Sequence, residues 1–177
     1  KAVGAGDYDD DGWPDLYLSR FGEPNNLLRN VAGKRFEDVT QTAGVAEPVD
    51  SFPCWFWDYD NDGRLDLFVS SYSYQASIEK VAADYLGMEK PGEVPRLYHN
   101  NGNGTFTDVA RPVRLNRVLV TMGSNFGDLD NDGWLDFYAG TGDPTLSALM
   151  PNRMFRNDGG KVFQDVTASG GFGHLQK

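Results

Sequence analysis

Three stretches of the chain align without a gap, and each places aspartate at its first, third, fifth and ninth positions. They are Asp7-Tyr8-Asp9-Asp10-Asp11-Gly12-Trp13-Pro14-Asp15, Asp58-Tyr59-Asp60-Asn61-Asp62-Gly63-Arg64-Leu65-Asp66 and Asp128-Leu129-Asp130-Asn131-Asp132-Gly133-Trp134-Leu135-Asp136. A unit that recurs in this way restricts the chain to folds made by stacking copies of one small motif. Each stretch runs into residues with the period of two that a strand requires: Leu16-Tyr17-Leu18-Ser19, Leu67-Phe68-Val69-Ser70 and Phe137-Tyr138-Ala139-Gly140.

The copies stay in step beyond that point. Leu27-Leu28-Arg29-Asn30, Leu97-Tyr98-His99-Asn100 and Met154-Phe155-Arg156-Asn157 each precede a turn, and Phe36, Phe106 or Phe163 follows nine residues after the first of them. Asn and Gly fill the turns of the second and third copies, where tight hairpins need positive φ. Each unit therefore has four strands, the content of one propeller blade. The fold class expected is all-β: three four-stranded antiparallel β-propeller blades, part of a larger propeller, with one short helical insert. The spacing divides the single repeat domain into blade 1 over 1–45, blade 2 over 46–113 and blade 3 with a tail over 114–177.

Length varies in one place. From Val39 to Asp58 and from Val109 to Asp128 the distance is 19 residues, whereas Asp15 to Leu27 is 12, Asp66 to Leu97 is 31 and Asp136 to Met154 is 18. The longest insert, 73–96, holds Ile78, Val81, Tyr85 and Leu86 at helical spacing, with Ser77 to cap the start and Gly87 the end. In an up-and-down blade the second-to-third loops lie on the face opposite the first-to-second turns. The insert and the acidic loops are accordingly expected on opposite faces.

The acidic loops have the chemistry of a hard-cation site. Ca²⁺ takes about six to eight oxygen ligands, and alternate carboxylates on a curled loop deliver several at once. The expected ligands are Asp7, Asp9, Asp11 and Asp15; Asp58, Asp60, Asp62 and Asp66; and Asp128, Asp130, Asp132 and Asp136. Trp13, Arg64 and Trp134, at position seven, would each contribute a backbone carbonyl, and Gly12, Gly63 and Gly133 the sharp reversal. An EF-hand would require Glu at position twelve and flanking helices. Position twelve is Leu18, Val69 or Ala139, and strands follow, so these read as strand-loop-strand sites for about three Ca²⁺.

Composition excludes several functions. A formal net charge of −10 with no basic cluster argues against nucleic acid, whose phosphates need grouped Lys and Arg. Cys54 is the single cysteine, so no intrachain disulfide or cysteine-based zinc site is available, and it reads as a small buried residue on a strand. No apolar run reaches the roughly 18 residues of a membrane span. The chain starts inside a repeat and without Met, which reads as a processed product or a piece of something longer. The two histidines, His99 and His174, stand in no catalytic motif, and the carboxylates are committed to the loops. No enzymatic activity is expected.

On these residues the chain resembles the FG-GAP/VCBS repeat propellers, and among them the cartilage acidic protein (ASPIC/UnbV) group. The resemblance is carried by Gly6 through Tyr17, Asp58 through Asp66, Asp128 through Asp136, Arg96 through Val109, and Tyr85-Leu86-Gly87. It implies a calcium-binding propeller of about seven blades, related to the integrin α-subunit head, secreted or displayed at the cell surface, and serving adhesion or recognition. Three blades cannot close such a ring. The expected function is an extracellular binding, adhesion or scaffold module whose insert-bearing face, with Tyr72, Tyr74 and Tyr85, meets a protein or glycan ligand or other copies of the chain. The alternatives are a carbohydrate-binding or lyase-like propeller and a self-assembling filament or matrix protein.

Overall fold

The computed structural model describes residues 1–72, 77–88, 93–142 and 150–171. In the first unit the acidic loop joins β1 (Val3–Gly6) to β2 (Asp15–Leu18), and β3 (Asn26–Val31) and β4 (Arg35–Asp38) follow. A one-turn helix α1 (Thr40–Ala43) leads to the second unit: β5 (Ser51–Trp57), β6 (Asp66–Ser71), helix α2 (Ile78–Tyr85), β7 (Arg96–Asn100) and β8 (Phe106–Asp108). The third unit is β9 (Thr121–Gly127), β10 (Asp136–Thr141), β11 (Arg153–Asp158) and β12 (Val162–Asp165). Each unit is its own four-stranded antiparallel sheet with the strands in chain order, the up-and-down blade expected from the repeats.

Period-two alternation decides how the sheets stack. In β6, Leu67 and Val69 point into a core shared with the first blade, where they meet Tyr17, Leu27, Val45 and Phe56. Phe68, between them, points the other way and joins Trp57, Leu97, Phe137, Phe155 and Phe163 in the core shared with the third blade. The middle blade is thus apolar on both faces, which a strand with one solvated face could not be. The second core is aromatic: Phe68 and Phe137 lie 5.0 Å apart, Phe137 stacks on Phe155 at 4.8 Å, and Trp57 stacks on Phe163 at 5.7 Å. Rings at such separations add about 0.5–1.5 kcal/mol a pair beyond the area they bury.

The first strands pack side by side, β1 against β5 and β5 against β9. The fit between β1 and β5 depends on small residues, since a Cβ on Gly6 would stand 2.9 Å from the Phe56 side chain. Helix α2 matches the expectation from spacing: Ser77 accepts a hydrogen bond from the Lys80 amide, and Gly87 takes the left-handed conformation just past the end. Helix α1 was not expected, because one turn is too short to show a helical period. Its start is fixed instead by Asp38, whose Oδ1 accepts from the Thr40 amide at 3.0 Å and the Thr40 hydroxyl at 2.5 Å. These bonds hold the Asp38 carboxyl below its ordinary range. Asp108 and Asp165 likewise accept from the amides of Ala110 and Thr167, which explains the Asp-Val pair that closes each unit.

Cys54 lies where the first two blades meet, buried and free, and burial pushes its thiol up to about 11. At pH 8 it is expected to ignore a thiol reagent such as 5,5′-dithiobis(2-nitrobenzoic acid) until denaturant separates the blades. Reaction of the native chain at the rate of a free cysteine would show that this core is not closed.

Candidate metal-binding loops

The three acidic loops fold identically. The carboxylate at position one spans the loop and accepts from the amides of positions five and six: Asp7 from Asp11 and Gly12, Asp58 from Asp62 and Gly63, Asp128 from Asp132 and Gly133, all at 2.8–3.1 Å. Position four is left-handed in each copy, with φ of 57° at Asp10, 54° at Asn61 and 59° at Asn131, and Asp and Asn tolerate that region best among side-chain-bearing residues. Position six follows at φ 86–88°, which is glycine's conformation.

The aspartate at position nine is buried at the start of the second strand, and both its oxygens are used. Asp15 accepts from the amides of Tyr8 (3.1 Å) and Asn30 (2.7 Å), Asp66 from Tyr59 (3.3 Å) and Asn100 (2.8 Å), and Asp136 from Leu129 (3.0 Å) and Asn157 (2.8 Å). Each therefore ties the loop to the far end of the third strand. Burial raises the pKa of all three carboxyls, and at Asp66, with Asp60 and Asp62 adding repulsion, it is pushed up to about 8.

Carboxylate oxygens of positions one, three and nine converge within 4.8 Å of one another in every copy: Asp7, Asp9 and Asp15; Asp58, Asp60 and Asp66; Asp128, Asp130 and Asp136. Two oxygens on one Ca²⁺ at about 2.3–2.6 Å stand no more than about 5 Å apart, so the sets have the right dimension. The donors are hard oxygens, and Asp9 Oδ1 and Asp60 Oδ1 are buried without a hydrogen-bond partner, an arrangement a cation would complete. The residues present therefore fit a calcium ion in each loop.

Position five, expected as a fourth carboxylate, is outside these three sets, although Asp62 converges with Asp60 and His99 within the same 4.8 Å. Asp11, Asp62 and Asp132 each turn one oxygen to the amide of position seven at 2.9–3.0 Å, and Asp62 pairs with Arg64. The side chains at position seven have work of their own. Trp13, Arg64 and Trp134 lie over Gly33, Gly102 and Gly160 in the turn between third and fourth strands, and a Cβ there would meet them at 2.6, 3.3 and 2.9 Å.

The third strand contributes a side chain that the loop pattern alone does not reveal. Arg29 Nε stands 2.7 Å from Asp9, and Arg156 3.5 Å from Asp130. In the second copy His99 takes this place, with Nδ1 3.3 Å from both Asp60 and Asp66. The aligned Arg29, His99 and Arg156 carried that signal in the sequence. On the opposite face Tyr72 is half-buried, its ring against Phe21 at 5.9 Å and Phe52 at 6.1 Å. Tyr74 lies outside the described residues, as does the side chain of Tyr85.

A stack of up-and-down blades, each with an acidic loop between its first two strands, defines a propeller-type repeat protein. The model of the FG-GAP-like repeat family matches residues 7–69 and 81–139, more than half of the chain, and the chain belongs to that family. No curated protein matches it in sequence. Among solved structures it is similar to one described as showing specific recognition of non-reducing terminal N-acetylglucosamine by a lectin of Agrocybe aegerita, with a TM-score of 0.50 and 17% identity over 97% of this chain. The chain spans 40% of that protein's length, and at this identity the likeness speaks for the fold alone.

Replacing Asp136 by Ala strands two amides, those of Leu129 and Asn157, and is expected to lower stability by about 2 kcal/mol or more, from about 1–3 for each buried group left unpaired. Asp130→Ala, which removes a half-exposed partner of Arg156, should change it by less than about 1 kcal/mol when both are unfolded by urea in chelator. Equal losses would contradict the division of labour between the two positions.

Proposed function

We propose that the chain is a calcium-stabilised, extracellular binding module without catalytic activity, in which one Ca²⁺ per acidic loop locks the first hairpin of each blade. The observation that supports this best is the convergence of three carboxylates in the same geometry three times over, each set including one buried aspartate. Carboxylates so close together repel one another, and a divalent cation turns that repulsion into attraction. The ion would supply charge neutralisation and a fixed centre. The chain's own residues hold the loop in shape through the amide bonds to positions one and nine. Among the described residues no helix is long and apolar enough to cross a membrane. Extracellular placement follows from the calcium reading, since free Ca²⁺ is abundant outside cells. Membership of the cartilage acidic protein group, the finer family assignment, rests on the motifs quoted above.

Recognition falls to the face opposite the loops, where Phe21 is exposed beside Tyr72 and Phe52. Aromatic rings of this kind suit a sugar face as well as a peptide. The likeness to a lectin fold makes glycans the first ligand class to screen.

Titration calorimetry of the chelator-stripped chain is expected to show close to three Ca²⁺ bound per chain, and calcium should raise the melting temperature by several degrees. Asp9→Ala should remove one of the three ions. No heat of binding and an unchanged melting temperature in millimolar calcium would overturn the reading.

A further inference from the structure

The three acidic loops share one backbone path but differ in what the third strand sets beside them. In the first blade Arg29 closes on its loop: Nε donates to Asp9 at 2.7 Å, and a second guanidinium nitrogen stands 3.5 Å from Asp11. In the third blade Arg156 donates to Asp130 at 3.5 Å. A guanidinium offsets charge but is a donor only, so neither Arg can ligate a cation. The second blade has an imidazole at this position, and a neutral imidazole is a metal ligand. His99 stands perpendicular to the Tyr59 ring, with the ring centroids 6.3 Å apart.

Both ring nitrogens face carboxylates. Nδ1 stands 3.3 Å from Asp60 Oδ2 and 3.3 Å from Asp66 Oδ1, and Nε2 stands 4.0 Å from Asp62 Oδ2. One ligand atom each from His99, Asp60 and Asp62 falls within 4.8 Å of the others, a set with no counterpart in the other two loops among the described residues. Two ligands of a tetrahedral ion at about 2.0–2.2 Å stand about 3.3–3.6 Å apart, so His99 and Asp60 already have that spacing. Nδ1 and Asp60 Oδ1 are buried, and neither has a hydrogen-bond partner. The ring therefore does not close on its loop as Arg29 does, and an ion between ring and carboxylate would complete both groups. Asp62 also pairs with Arg64, a partly exposed contact worth about 0–1 kcal/mol, which a metal bond outweighs. The His99 and Asp60 side chains are 25% and 22% exposed, which leaves an entry path from solvent.

We propose that the second loop is a site for a divalent transition ion of the Zn²⁺ class, with His99, Asp60 and Asp62 as its protein ligands, and that it differs in ion preference from the two loops faced by Arg. An imidazole nitrogen adds little for Ca²⁺, which takes oxygen ligands, and much for Zn²⁺, which binds nitrogen at about 2.0–2.1 Å. Three protein ligands leave the fourth position of a tetrahedral ion to water. The inference rests on reading the acidic loops as cation sites, and not on Ca²⁺ being the ion in the other two.

The test is calorimetric titration of the chelator-stripped chain with Zn²⁺ in millimolar calcium, where the parent is expected to bind one Zn²⁺. His99→Gln removes the nitrogen donor without adding charge, and His99→Arg gives the second loop the side chain of the first and third. Both should weaken Zn²⁺ binding by more than the about 10–100-fold that losing an outer-shell partner costs. Both should keep a cooperative melt and the calcium stoichiometry that the parent shows without zinc. Co²⁺ in place of Zn²⁺ should give a visible absorption band with the parent and none with the variants. A parent that takes up no Zn²⁺ overturns the proposal, as does unchanged Zn²⁺ affinity in either variant. Zinc binding that depends on His99 in a chain without calcium binding would uphold this site and overturn the calcium reading; three calcium ions and no zinc would do the reverse.

Discussion

The buried aspartate at position nine is the constraint on which the rest of each blade depends. Asp15, Asp66 and Asp136 stand at the first residue of a blade's second strand with essentially no exposure. A carboxylate there is stable only with its oxygens engaged, and each accepts one amide from the loop before it and one from the end of the third strand. The acidic loop, the second strand and the end of the third strand are pinned to one side chain. In the second and third blades the Asn whose amide it accepts, Asn100 or Asn157, also reaches with its carboxamide to the carbonyl of Tyr8 or Tyr59 in the blade before, so the bond that sets a blade's internal register also sets the distance to its neighbour.

Charge and packing are thereby linked. The loop holds like charges close together because amides at positions two, five and six and the third-strand cation, Arg29 or Arg156, offset them in part. In the second blade His99 occupies that place. A calcium ion at the convergence of positions one, three and nine would complete the balance and stiffen the hairpin that carries position two, which at Tyr8 and Tyr59 accepts the Asn of the following blade. Metal binding and blade stacking then share one element.

The sequence made the strands, the blade count, the short helix and the acidic loops legible, because repeats expose any position whose role is fixed by geometry. Asp at position nine and Gly at position six could be found that way. The division among the aspartates could not: Asp11, Asp62 and Asp132 look equivalent to Asp9, Asp60 and Asp130 in composition, and only the path of the loop turns them toward the position-seven amide. The cation in the third strand was visible as an aligned Arg, His and Arg, but its distance from the loop is a matter of pairing register. The Asn clamp was equally conspicuous as a repeated residue and equally silent about its partner, which lies in another blade. Helix α1 escaped because one turn shows no period and its start is held by Asp38, one residue before the N-cap Val39.

The central claim, that the position-nine aspartate joins loop, strand and cation into one unit, is tested most directly by hydrogen exchange at single amides with and without calcium. The amides of Asn30, Asn100 and Asn157 and those of Tyr8, Tyr59 and Leu129 should all exchange slowly, and calcium should slow all six further while leaving the β3–β4 and β7–β8 turn tips unchanged. Fast exchange at these six amides, or protection by calcium spread evenly over the chain, would contradict it.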